Sequence, residues 1–224
     1  MKERLLYIEK LNKIGQNDRI LLRSFLLFLI QSPELRDTAM QVEKKKQRQV
    51  QISRLQAMDE TEKKREQLSL YEKLFASKEW QQAKTVATTM SGKIEVDTRP
   101  IMQQARYEHK TILIPKTLAK WQMAFFEYLP TTKLEKTKFG IPEPVGANNI
   151  SKSDINLILV PGLGFADQGN YRLGFGGGYY DRFLRDYHGA TISLVLSAQH
   201  FKTAAWPIEA HDIPINKLIK SEAN

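Results

Sequence analysis

Residues 155–181 open with Ile155-Asn156-Leu157-Ile158-Leu159-Val160-Pro161-Gly162-Leu163-Gly164-Phe165. They end with Arg172-Leu173-Gly174-Phe175-Gly176-Gly177-Gly178-Tyr179-Tyr180-Asp181. A short apolar run closed by Pro-Gly is the pattern of a buried strand. The glycines beyond it permit positive φ and let the backbone approach a ligand closely. The helix expected over 179–187 starts with free N–H groups facing outward, which suits phosphate. Arg172 offers a bidentate contact to a phosphate oxygen, and Asp181, one turn into the helix, offers an oxygen ligand to Mg²⁺. The stretch lacks the Gly-Lys-Ser/Thr ending of a Walker loop, and Gly174-x-Gly176-x-Gly178 is not the GxGxxG of dinucleotide folds. A plain strand-to-helix turn would need the glycines, but not the Arg, the paired tyrosines and the Asp at fixed offsets.

Outward from this segment, apolar runs predict strands at 84–90, 111–114 (ended by Pro115), 123–128 and 191–196. Asp97-Thr98-Arg99-Pro100 marks a helix start, with Asp97 or Thr98 as cap and Pro100 in the first turn. A charged helix is expected over 42–58, and a second to about 76 after the cap Asp59 with Glu62 three residues on. Strands alternating with helices define an α/β protein, with a mainly parallel central sheet and helices on both faces. Residues 130–154 read as loop.

Hydrophobic residues make up 42% of the 224, charged residues 26%, and there is no cysteine, which removes disulfides, thiolate metal sites and a cysteine nucleophile. The net charge of +9 calls for an acidic partner: nucleic acid, nucleotide phosphate or a polycarboxylate. Ten Lys and Arg lie between Lys44 and Lys78, mixed with acids and glutamines in the manner of a solvated helical face. Residues 1–39 differ from the rest. Their apolar positions over 21–29 recur at helical spacing up to Ser32-Pro33, too short a run to cross a bilayer. No signal peptide is expected, and a cytoplasmic location is. The four histidines show no metal-ligand spacing.

Pro-Gly-Leu-Gly-Phe followed by Arg-Leu-Gly-x-Gly-x-Gly-Tyr-Tyr-Asp resembles the signature of the 5-formyltetrahydrofolate cyclo-ligase family, also called methenyltetrahydrofolate synthetase. The resemblance covers residues 40–224 and takes in Glu95-Val96-Asp97-Thr98, Gly140-Ile141-Pro142-Glu143-Pro144 and His211-Asp212-Ile213-Pro214. It leaves 1–39 as a helical extension, or as residues ahead of a start at Met40. It implies a single domain with the fold of sugar-phosphate isomerases and CoA transferases. The implied activity is an ATP-dependent closure of 5-formyltetrahydrofolate to 5,10-methenyltetrahydrofolate, ADP and phosphate, through a phosphorylated formyl imidate, in a monomer that needs neither nucleic acid nor membrane.

Carried over by position, the resemblance implies ATP contacts from Lys44 and Arg48, four apart on one helix face, and from Arg172, Leu173, Gly174, Phe175, Gly176, Gly177, Gly178, Tyr179 and Tyr180. It implies folate contacts from Met90, Glu95, Phe139 and the 175–179 loop, and Mg²⁺ ligands in Asp181 and Asp212. Arg172, Tyr179 and Glu95 are the implied catalytic set, with Glu95 orienting the folate. Departures from the family pattern are one extra residue between Phe165 and Arg172, Ala166 for a common Asp, Phe175 for Tyr or Arg, His109 for Gly and Gln47 for Leu. Two other readings are a basic RNA-binding module, which needs no ATP, and a phosphosugar enzyme of related fold. The Asp181 and Asp212 pair argues for a cation at the phosphate site and against the RNA-binding module; the phosphosugar enzyme would need no ATP.

Overall fold

The computed structural model describes residues 33–137, 140–146 and 148–221. The helix expected over 21–29 and the folate position Phe139 lie outside the described residues. The chain divides after Glu43, and the fold below is that of Lys44–Asn224. Helix α1, Pro33–Gln56, starts earlier than the sequence reading placed it. Pro33 begins this helix rather than only closing what precedes it, because the N–H that proline lacks has no partner in a first turn. Helix α2 is Glu60–Phe75, and Asp59 caps it by accepting from the Thr61 and Glu62 N–H groups. The short α3, Lys78–Gln82, follows on Ser77.

Strands β1 (Thr85–Ala87), β2 (Thr111–Thr117), β3 (Met123–Glu127), β6 (Leu157–Leu159), β9 (Ala190–Val195) and β11 (Lys217–Lys220) form one sheet in the order β11-β9-β6-β1-β2-β3. All neighbours are parallel except β2 and β3. Helix α4, Arg99–Tyr107, links β1 to β2; its first turn is held by Asp97, which accepts from the Arg99 N–H, and not by Thr98. Strand β2 runs through Pro115 instead of ending there. Pairing with β1 stops at Leu113, and Pro115 faces Phe125 on β3. Tyr128 N–H donates to the Ile112 C=O. By alternation Pro115 therefore sits where its nitrogen points away from β3, and no ladder bond is missed. The loop region 130–154 carries a small pair, β4 (Leu134–Lys136) and β5 (Pro142–Pro144). Strands β7 (Gly164–Ala166), β8 (Arg172–Leu173) and β10 (His200–Phe201) form a separate three-stranded sheet.

The period-2 alternation of the central strands sorts their side chains into two cores. Val86, Ile112, Ile114, Leu157, Leu159 and Ile192 pack with Leu70 and Leu74 of α2 and Ile101 of α4. Ala87, Leu113 and Ile158 face the other way, onto Phe125, Phe183 and Leu184, the last two from helix α5 (Tyr179–Leu184). Helices therefore cover both faces, as the α/β reading requires. Helix α5 ends earlier than 187, and β6 spans only the centre of its apolar run.

Candidate active site

Chain order along the sheet turns at β1: β2 and β3 are laid down on one side, β6, β9 and β11 on the other. Ligands of open α/β sheets sit outside the carboxyl ends of the strands at such a reversal. A cleft lies there, lined by Thr88 after β1, Leu159 to Gly162 at the end of β6, Leu194 of β9, and Glu95 and Thr98 from the loop before α4.

Beyond β8 the chain enters the glycine loop. Gly176 has φ +106° and Gly178 φ +65°, conformations that a side chain resists. A Cβ on Gly176 would lie 3.4 Å from the Arg48 guanidinium carbon. Arg48 Nε donates to the Gly174 C=O at 2.9 Å, which lays its guanidinium along the loop. Among the described residues no protein acceptor takes the N–H groups of Gly176, Gly177 or Gly178. Helix α5 has six residues, under two turns. The loop thus offers N–H groups and the Arg48 guanidinium, and little accumulated helix dipole.

Arg172 is placed differently from the sequence reading. Its side chain is buried; Nη2 donates to Asp181 Oδ1 at 2.7 Å and Nη1 to the Ile213 C=O at 2.8 Å. Asp181 Oδ1 also accepts from the Ile213 N–H. With that guanidinium engaged inward, Arg172 holds Asp181 and the peptide next to Asp212 rather than extending along the glycine loop. Leu173 has a buried side chain, so it offers the loop backbone only.

Asp212 and Lys44 are joined to each other. The Lys44 ammonium sits 2.6 Å from Glu209 Oε2 and 2.7 Å from Asp212 Oδ2, with its side chain only 6% exposed. Glu209, His211 and Asp212 offer ligand atoms within 4.8 Å of one another. Asp181 is not part of that group; it reaches it through Ile213. Two carboxylates facing one cation have the hard oxygen chemistry that suits Mg²⁺. Arg48 feels the same acids, which oppose the burial that lowers its pKa. Of the ten basic residues between 44 and 78, Lys44 and Lys63 are buried, Lys63 donating to the Lys93 C=O, so that stretch is more than a solvated face.

Glu95 lines the cleft, its Oε2 accepting from the Gly92 N–H at 2.6 Å. Burial raises its pKa, against the opposing pull of that N–H and of Lys63. Met90 packs half-buried against the larger core. Tyr180 is turned inward and burial, then the Glu95 charge, raises its phenol. Phe175 is half exposed at the loop tip. Tyr179 packs on Trp121, ring centroids 5.9 Å apart, and Arg182 lies over the same indole while donating to the Gly177 C=O. Trp121, Arg182, Glu209 and Thr88 escaped the sequence reading. Glu209, three residues from Asp212, carried a signal that spacing could have found; the other three had none.

A cleft at the strand ends, a glycine loop with a flanking arginine and a carboxylate cluster define an α/β protein with a candidate site at its sheet reversal. The model of the 5-formyltetrahydrofolate cyclo-ligase family matches residues 40–221, and the chain belongs to that family. It is 30% identical over 146 residues to the 5-formyltetrahydrofolate cyclo-ligase of Haemophilus influenzae, covering 63% of this chain and 78% of that one. With the Mus musculus 5-formyltetrahydrofolate cyclo-ligase it shares 28% over 186 residues, 76% and 89% of the two chains. The NMR structure of Aquifex aeolicus 5,10-methenyltetrahydrofolate synthetase superposes with a TM-score of 0.69 at 30% identity, covering 79% of this chain and 89% of that one.

Proposed function

We propose that this protein closes 5-formyltetrahydrofolate to 5,10-methenyltetrahydrofolate at the expense of ATP, releasing ADP and phosphate, as a cytoplasmic monomer. The observation that carries the site assignment is the glycine loop with unclaimed N–H groups and Arg48 laid along it, at the sheet reversal and beside the Glu95 cleft. A formamide oxygen is a poor leaving group, so it is first phosphorylated: it attacks the γ-phosphorus, ADP leaves, and a phosphorylated imidate forms. The folate N10 then attacks the formyl carbon, and phosphate leaves as the ring closes.

Phosphoryl transfer asks a protein for alignment and positive charge. The loop N–H groups and Arg48 hold the phosphates, while Lys44, one turn earlier on the same helix face, is tied to Glu209 and Asp212. Arg172 fixes Asp181, while Tyr179, Phe175 and Glu95 border the folate. Asp212 and Glu209 would hold Mg²⁺, which when bound neutralises phosphate charge, while Asp181, held by Arg172, braces the adjoining Ile213 peptide. An RNA-binding reading draws on the same lysines, yet Lys44 and Lys63 are buried in ion-pair and carbonyl contacts. The test is methenyl-folate absorbance in the presence of Mg²⁺ and ATP. Turnover that needs all components, with Arg48→Met raising the KM for ATP, is the expected result. Absence of turnover in folded protein overturns the proposal.

A further inference from the structure

Thr88 directly follows β1, and its residue surface is 1% exposed. Its N–H is held by the Leu113 C=O at 2.9 Å, but Oγ1 has no hydrogen-bond partner among the described residues. Thr89, half-buried in the same wall, likewise has no hydrogen bond to its hydroxyl among the described residues, while Thr98 and Gln199 are satisfied. Thr98 Oγ1 donates to the Thr89 C=O, Gln199 Nε2 donates to the Gly162 C=O, and Gln199 Oε1 accepts from the Leu196 N–H. Glu95 has engaged Oε2 with Gly92. The cleft wall therefore holds one fully buried hydroxyl without a partner, that of Thr88, beside the free side of one carboxylate.

A buried, unpaired hydroxyl costs stability, and valine would fill the same volume at the end of a strand without that cost. Val86 and Ala87, its neighbours along β1, are apolar. A hydroxyl kept at such a place needs a partner that enters from the cleft. The centres of water-sized molecules can occupy about 40 Å³ of the cleft. A hydroxyl that both donates and accepts, beside a carboxylate that accepts, matches an edge carrying adjacent N–H and C=O groups.

We propose that Thr88 Oγ1 hydrogen-bonds the polar edge of the folate's bicyclic ring, next to Glu95, and so sets specificity for that ring. The proposal rests on the folate reading above and adds a contact to it. The test measures binding of 5-formyltetrahydrofolate and of ATP by calorimetry to the full chain, its Thr88→Val and its Thr88→Ser forms, with the Tm of each unliganded protein. Loss of the contact is expected to weaken folate binding about 10- to 100-fold in T88V, with ATP affinity unchanged and Tm equal or raised. T88S keeps most of the folate affinity. If wild type binds ATP but not the folate, the functional reading falls and this contact with it. If wild type binds the folate and T88V binds it equally, only the Thr88 contact falls. A T88V that melts lower or fails to fold also overturns it, since the hydroxyl would then be satisfied within the protein, for instance by a buried water.

Discussion

At the scale of single residues, the decisive chemistry lies in charges held where water is scarce. Glu95 has its pKa raised by burial, so the folded protein holds that proton more tightly than the unfolded chain does. The stability it supports is complete below the unfolded carboxylate pKa of about 4.3. That stability is lost as pH rises through the higher folded value. Glu95→Gln should therefore raise Tm at about pH 8, with the gain shrinking toward about pH 4, while folate affinity falls; an unchanged melting profile across that range would refute the burial argument. Lys44 presents the complementary case. Removing one partner of a buried ion pair costs roughly 3–5 kcal/mol, because the other charge is left unpaired. Lys44→Met removes the ammonium that Glu209 and Asp212 share, so it should melt well below wild type, and millimolar Mg²⁺ should restore part of the loss. Melting that ignores Mg²⁺ would mean that the two carboxylates cannot share a cation. The sequence marked Lys44 and Asp212 separately but could not join them, since 168 positions separate the two. Nor could it show Arg172 turned inward, because a buried arginine and a solvent-facing one look alike in a string of letters.

At the scale of elements, turn chemistry was the most legible part and strand ends the least. The run of glycines announced a loop whose positive φ values the structure bears out at Gly176 and Gly178. Local hydrophobicity cannot see a neighbouring strand, so it could not foresee that β2 continues past Pro115 into an antiparallel partner. Gly178→Ala should strain the loop by about 1–2 kcal/mol. Its Cβ would also sit 3.0 Å from Arg182 Nη1, pushing that arginine off the Gly177 C=O, so the KM for ATP should rise more than kcat falls. An opposite gain is available at the end of α4. Glu108 N–H bonds the Gln104 C=O, His109 N–H the Arg106 C=O and Lys110 N–H the Ala105 C=O, with His109 at φ 56°. That is a Schellman closure, whose left-handed residue is usually glycine. His109 stands where the family pattern carries Gly. Relief of about 1–2 kcal/mol of strain exceeds the roughly 0.5–1 kcal/mol entropy that glycine loses on folding. His109→Gly should then raise Tm by about 2–4 °C, and a lower Tm would show that the imidazole makes contacts worth more than its strain.

At the scale of the whole molecule, the family match begins at residue 40, and every side chain assigned to the site follows it. Helix α1 nevertheless starts at Pro33, so a chain beginning at Met40 would lose seven of its 24 residues and bring the helix end to within about a turn of Lys44. Helix ends fray, which would loosen Lys44 if nothing else held it. Here the ammonium is tied to Glu209 and Asp212, Gln51 donates to the Ala198 C=O, and Leu55 is buried in the larger core, so the remaining turns are anchored from outside the helix. Tertiary anchoring of this kind outweighs a lost first turn. The chain starting at Met40 should accordingly fold, keep kcat within about threefold, and show at most about a tenfold rise in the KM for ATP, equivalent to about 1.4 kcal/mol. Steady-state turnover of the two chains side by side decides it. A larger loss in a shortened protein that still melts cooperatively would assign the first 39 residues to the nucleotide site itself, and would move the catalytic unit's boundary upstream of the family match.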